Sequence, residues 1–168
     1  MLISDFQLNQ TLLLLITDSK LYYPYAYSYF EDLYYTGCRS KEPLEIERWK
    51  DTDGKIILNT FKTEAIRFFE PKYISTSLLI SIWSGVAPYD GLTYDQLTAE
   101  FRKHIRIHPI YSGDKIADTY LFRYNRARQM YRQTNSLAAV QDFFGWNSLS
   151  MAENYVMTPL EHRMPMLK

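Results

Sequence analysis

Residues 144–156 read FGWNSLSMAENYV. The stretch holds a Gly-Trp pair, Gly145-Trp146, and Asn147-Ser148 makes a polar turn. After the turn comes a short amphipathic helix, Leu149–Val156, that carries a single tyrosine, Tyr155. The chain contains 15 tyrosines, so the stretch poses a question. Tyr155 either packs a core like its companions or presents its hydroxyl to a reaction. Taken alone it reads as structural, and the rest of the chain has to decide.

A length of 168 residues suits one domain, 1–168, with a proper core, and is short for two. The single cysteine, Cys38, excludes an internal disulfide and a cysteine-based zinc site, which points to a reducing, cytoplasmic setting. The apolar run from Thr11 to Ile16 falls far short of the ~20 residues that span a bilayer. No basic n-region of a signal peptide precedes it, so no membrane partner is expected.

Formal net charge is zero, but its distribution is uneven. Residues 101–132 hold Arg102, Lys103, Arg106, Lys115, Arg123, Arg126, Arg128 and Arg132 against Asp114 and Asp118, a local excess of eight minus two, +6. Residues 1–60 carry six basic and nine acidic residues, a local −3. Phosphate affinity depends on one basic face and not on the total, so the 101–132 segment is a candidate nucleic-acid surface. A solvated helix surface accounts for the same charges equally well.

The pattern along the chain is mainly helical. Ser4 can cap a helix over Asp5–Thr17, and a second covers Tyr25–Tyr35 and stops at Gly37. Pro43 leaves room for only a short helical turn after Arg39. Asp53-Gly54 signals a turn into the run Lys55–Asn59, and Ile66–Phe69 follows a polar turn at Lys62-Thr63-Glu64, giving a hairpin or small sheet. Further helices are expected at Tyr73–Ser84, Tyr94–Ile105, Ile116–Gln133, Leu137–Phe144 and Leu149–Val156, with Thr93 and Ser136 as N-caps. The fold class is α+β, mainly α, with one small sheet.

No phosphate-cradling glycine loop, nucleophile elbow or H-E-x-x-H pair is present. His104, His108 and His162 have no metal-ligand spacing, and no cofactor is expected. What stands out is an ordered set. Arg39 follows a helix stop, with Glu42 three residues on; Lys62 lies in the hairpin turn; Tyr120-Leu121-Phe122-Arg123 opens an Arg-rich helix; Gly145-Trp146 precedes Tyr155 by nine residues from the tryptophan.

That set resembles the catalytic domain of the tyrosine recombinase (phage integrase) family, which includes Cre and the Xer recombinases. The resemblance covers nearly the whole chain and is closest in spacing from Tyr120 to Val156. It implies double-stranded DNA as the partner and a covalent 3′-phosphotyrosine formed by Tyr155. Arg39 and Arg123 would clamp the scissile phosphate bidentately, because guanidiniums present a planar fork and keep their protons. Lys62, with Lys55 as the alternative, would protonate the leaving 5′-oxygen. Trp146 would donate its indole N–H to the phosphate, and Glu42 would orient the site by hydrogen bonding. Arg102, Lys103, Arg106, Arg126 and Arg128 would contact DNA.

Each residue also has an ordinary reading on its own: Arg39 as a helix C-cap, Lys62 as a solvated turn, Trp146 and Tyr155 as core, and the arginines as a surface. The joint spacing is what favours the site. Two departures stand beside it. Tyr120 occupies the position that is usually histidine, and it carries no charge at neutral pH. The N-terminal DNA-clamping domain usual in the family is not expected within 1–168. The functional expectation is therefore a site-specific recombinase or integrase catalytic domain, nucleoid-associated and of prokaryotic, phage or mobile-element origin. A recombinase-fold DNA-binding regulator with impaired turnover is the alternative. Met157, Leu160, Met164, Met166 and Leu167 form an apolar tail, which by resemblance docks on a neighbouring copy to give dimers or tetramers on DNA and otherwise packs in cis or frays.

Overall fold

The computed structural model describes residues 4–60, 65–106 and 119–159. Among them are seven α-helices and three strands: α1 Asp5–Tyr22, α2 Pro24–Thr36, β1 Trp49–Thr52, β2 Lys55–Leu58, β3 Arg67–Phe69, α3 Thr76–Ser84, α4 Tyr94–Arg106, α5 Tyr120–Thr134, α6 Leu137–Phe144 and α7 Leu149–Met157.

Helix starts follow their caps. Ser4 and Gln7 form a reciprocal capping box at α1. The Thr93 hydroxyl accepts from the Gln96 amide at 3.2 Å, and Gln96 Oε1 accepts in return from the Thr93 amide at 2.9 Å. Ser136 accepts from the Ala139 amide at 3.1 Å. α1 continues past the expected Thr17 to Tyr22, because nothing in Asp18-Ser-Lys-Leu breaks it before Pro24. α3 begins at Thr76 and not at Tyr73: Pro71–Tyr73 forms a separate 3₁₀ turn and Ser75 supplies the cap. The expected start of the Arg-rich helix at Ile116 lies outside the described residues, and α5 is described from Tyr120.

The sheet is antiparallel in the order β1-β2-β3, with Lys50, Ile57 and Phe68 in one register line and Ile56 opposite Phe69 in the next. β1 was not anticipated from the sequence. Of its four residues only Trp49 is buried, so Trp-Lys-Asp-Thr shows no alternation. Ile56, Leu58, Arg67 and Phe69 point inward from β2 and β3.

The core forms where α1, α2, α4 and α5 meet. Leu8, Leu12 and Leu15 of α1 recur at helical spacing and are almost fully buried, each worth about 1.5–3 kcal/mol. Phe30 of α2, Phe101 of α4 and Phe122 of α5 join as an aromatic triplet, with ring centroids 5.5–6.1 Å apart.

One carboxylate is sealed in this interior. Asp32 of α2 is fully buried and accepts from the Ser75 amide (2.6 Å), the Ser75 hydroxyl (2.7 Å) and the Tyr89 hydroxyl (2.6 Å). It thereby fastens the start of α3 to α2. Loss of hydration pushes its pKa from 3.8 up to about 7, against the opposing pull of the three donors. The neutral acid is the form that folding favours, so the stabilisation is complete below 3.8 and is lost as pH rises through about 7. Relative to Asp32→Asn, which keeps the shape and does not titrate, the wild-type unfolding free energy should fall across that window by up to about 4 kcal/mol, at ~1.4 kcal/mol per pH unit. Denaturant titrations at a series of pH values read this directly; a constant difference would refute it.

Candidate active site

The site is assembled from four helix ends, those of α2, α5, α6 and α7. α2 terminates at Gly37, whose φ of +62° is the left-handed conformation of a C-cap. A Cβ there would stand 2.8 Å from the Phe144 ring, so the close approach of α6 also demands glycine. The Gly37 carbonyl accepts from the Arg123 guanidinium at 2.9 Å. The chain leaving Gly37 is tied back to α5 by a bond between the Ser40 and Thr119 hydroxyls, and the Tyr29 hydroxyl donates to the Ser40 carbonyl at 2.8 Å. Arg39 lies between these two attachments, partly buried. Its backbone N–H donates to Glu42 Oε1 at 2.6 Å, and the Trp49 indole donates to the Glu42 carbonyl at 2.8 Å. Glu42 is fully buried and shapes this loop through its backbone and carboxylate together.

Arg123 leaves the first turn of α5 and is 3% exposed. Its Nε–H donates to the Tyr155 hydroxyl at 3.3 Å. The guanidinium also lies 5.1 Å from the Phe144 ring centroid, 5.5 Å from that of Trp146 and 5.9 Å from that of Tyr155. α6 ends at Gly145, φ +69°, and the chain turns so that Trp146 stacks on Tyr155 at 4.6 Å and on Phe144 at 4.5 Å. Tyr120 closes the group with its ring 5.7 Å from that of Tyr155. The Trp146 indole nitrogen is buried and meets no acceptor among the described residues. Tyr155 itself is 4% exposed.

Arg123, Trp146, Tyr155 and Tyr120 are thus brought together, with Arg39 and Glu42 on the loop two to five residues beyond the carbonyl that holds Arg123. Lys62 lies outside the described residues. Lys55, the alternative, opens β2 beside the Asp53-Gly54 turn, about 10 Å of strand away from the end that leads into the β2–β3 loop. The hairpin meets the site at the opposite end: the Ala65 amide donates to the Gly145 carbonyl at 2.7 Å.

The expected DNA contacts divide. Arg102 and Lys103 are exposed on α4, Lys103 beside Glu100 at 3.2 Å, and Arg106 falls in the last turn of the same helix. Arg126 and Arg128, by contrast, do not stand on an open face. Arg126 is 9% exposed, donates to Gln129 at 2.9 Å and lies over Phe143; burial lowers its pKa. Arg128 pairs with Asp5 and donates to the Val156 carbonyl, so it fastens the end of α7 to α5 and α1. Asp5 also takes Arg132 at 2.9 Å, so two of the eight cations counted between 101 and 132 are matched from the acidic N-terminal part of the chain. Met157 closes α7 well exposed, and Leu160, Met164, Met166 and Leu167 lie outside the described residues.

Sequence reading overlooked Arg67, a 2%-exposed cation of β3 beside the site. The signal was available. Alternation along a strand places residue 67 on the same inward face as Phe69.

No family model and no curated protein matches the sequence. Solved structures do. The XerH site-specific recombinase bound to palindromic difH substrate, a post-cleavage complex, superposes with a TM-score of 0.64 at 17% identity, covering 98% of this chain and 51% of that one. The same recombinase in a pre-cleavage complex with difH gives 0.62 at 18% identity, covering 99% and 53%. This chain has a Xer-like recombinase fold. It matches the helical recombinase catalytic domain with its small antiparallel sheet, and it spans about half the length of those recombinases.

Proposed function

We propose that the chain is a DNA strand-transfer enzyme, the catalytic domain of a site-specific recombinase or integrase that works through Tyr155. The observation that carries this reading is the Arg123 Nε–H directed at the Tyr155 hydroxyl at 3.3 Å, with Trp146 stacked on the same ring. A guanidinium donor at the phenol oxygen stabilises negative charge there as its proton leaves to solvent. The Tyr155 oxygen then bonds to phosphorus while the bond from phosphorus to the 5′-oxygen breaks, leaving a 3′-phosphotyrosine. The 5′-oxygen takes a proton from Lys62. Attack by a free 5′-hydroxyl reverses the step and releases Tyr155, so the energy of the first phosphodiester is kept in the covalent link.

Arg123 and Arg39 would meet the non-bridging oxygens, whose charge rises in the pentacoordinate state. The Trp146 indole, buried and lacking an acceptor among the described residues, would gain one in a phosphate oxygen. A buried donor left unsatisfied costs about 1–3 kcal/mol, which phosphate binding would recover.

A second reading has its own observation. Tyr155 is 4% exposed and Tyr120 stands where the family usually has histidine. A DNA-binding regulator that has lost turnover fits both facts.

One experiment separates them. Incubate the chain with a pool of nicked duplexes of randomised sequence, resolve covalent adducts on a denaturing gel, and measure duplex retention at low and high salt. The enzyme reading expects an adduct with wild type and none with Tyr155→Phe. Salt-sensitive binding without adduct selects the regulator. Absence of binding at low salt overturns both.

A further inference from the structure

Arg67 is among the largest fully buried side chains of the molecule. A guanidinium is costly to bury, and an apolar residue of similar length would serve a core at least as well. Its contacts suggest what the charge is for. Nε–H donates to the Phe143 carbonyl at 2.8 Å, and a terminal N–H donates to the Thr36 carbonyl. The planar group lies 4.7–4.9 Å from the ring centroids of Phe69, Phe143 and Phe144.

Those two carbonyls sit at the C-terminal ends of α2 and α6, two of the helices that build the site. Thr36 is the last residue of α2, immediately before the Gly37 carbonyl that holds Arg123. Phe143 precedes Phe144 and Gly145, which deliver Trp146. Arg67 itself is two residues from Ala65, whose amide bonds the Gly145 carbonyl and whose carbonyl accepts from the Thr60 hydroxyl at 3.0 Å. A Cβ on Gly145 would meet both the Ala65 carbonyl and the Arg67 side chain. The Phe144 ring is shared by the Arg67 and Arg123 guanidiniums.

We infer that Arg67 is a positioning residue of the strand-transfer site, setting the spacing of the α2 end, the α6 end and the β2–β3 hairpin so that Arg123 and Trp146 face Tyr155. It acts through backbone carbonyls and touches none of the reacting atoms. The catalytic part of the inference rests on the reading of the site given above; the positioning part does not.

The test uses the full chain with Arg67→Met and Arg67→Lys. Met keeps length and removes both donors. Lys keeps the charge but lacks the rigid fork that bridges two carbonyls, and it remains useful if the Met variant does not fold. Amide hydrogen exchange is followed by mass spectrometry, alongside adduct formation on the randomised nicked duplexes. Exchange at Ala65 and Trp146 should rise by about tenfold or more, while amides in the middle of α1 stay within about twofold. Adduct formation should fall by about 10–100-fold, the range for losing a residue that orients catalytic groups, with duplex affinity changed by no more than about threefold. The Lys variant should recover part of both effects. If exchange rises equally in α1, or if adduct yield and affinity fall together, Arg67 is an ordinary core member and the inference is overturned. If wild type forms no adduct, the reaction reading fails by itself, and the exchange pattern still decides the positioning role.

Discussion

Arg123→Lys should remain folded and bind duplex DNA within about tenfold of wild type, yet form the Tyr155 adduct about 100- to 1,000-fold more slowly. The geometry explains the size of the effect. One side of the Arg123 guanidinium is committed to the Gly37 carbonyl, while Nε–H faces the Tyr155 hydroxyl. A lysine ammonium can satisfy the carbonyl or approach the hydroxyl, but it cannot present a fork to both and to a phosphate as well. The fold should tolerate the change, since charge and most of the stem remain above the Phe144 and Trp146 rings. Rates from denaturing gels, paired with equilibrium binding, separate transition-state loss from grip. A Lys variant that reacts at the wild-type rate would remove Arg123 from the proposed chemistry.

Among the described glycines, Gly145→Ala should be the most damaging alanine substitution. Two costs coincide there. Its φ of +69° places an L-residue in the left-handed region, at ~1–2 kcal/mol. The added Cβ would then lie 2.6 Å from the Ala65 carbonyl oxygen, a backbone atom that cannot swing aside, and overpacking of that kind costs ~1–3 kcal/mol. For a chain of this size the sum corresponds to a fall in Tm of about 5–20 °C. Gly54→Ala is the control. Its φ is also positive, at +85°, but among the described residues no atom beyond its chain neighbours lies within 4 Å of the new Cβ, so only the backbone cost remains. Thermal unfolding of the two variants side by side should rank them clearly. Equal shifts would mean that the hairpin is not pressed against α6.

Much of this architecture was legible in the residues, for physical reasons that differ from element to element. Gly37 marks a helix end because only glycine takes that angle cheaply, and α2 and α6 both stop where the residue pattern puts them. The interval from Arg123 to Trp146 to Tyr155 resolves as three helical elements, α5, α6 and α7, whose ends converge. β1 escaped notice because three of its four side chains face solvent, so a period-two signal never forms. Arg67 gives no inward signal by type, since a charged residue in a strand ordinarily belongs to the outer face. Arg128 counts toward a basic surface in the sequence because its partner, Asp5, is 123 residues away, and no local pattern carries that pairing. Charge counted along the chain overstated the open basic face for the same reason.

In the proposed reaction the Tyr155 oxygen becomes bonded to DNA phosphorus. After reaction with the nicked duplex pool and nuclease digestion, trypsin should release residues 133–163, a peptide in which Tyr155 is the single tyrosine. That peptide should carry the mass of a residual nucleotide phosphate on Tyr155, and the modification should vanish in Tyr155→Phe. A nucleotide found on any other tyrosine, or an unmodified 133–163 peptide from a preparation that has cleaved DNA, would contradict the account.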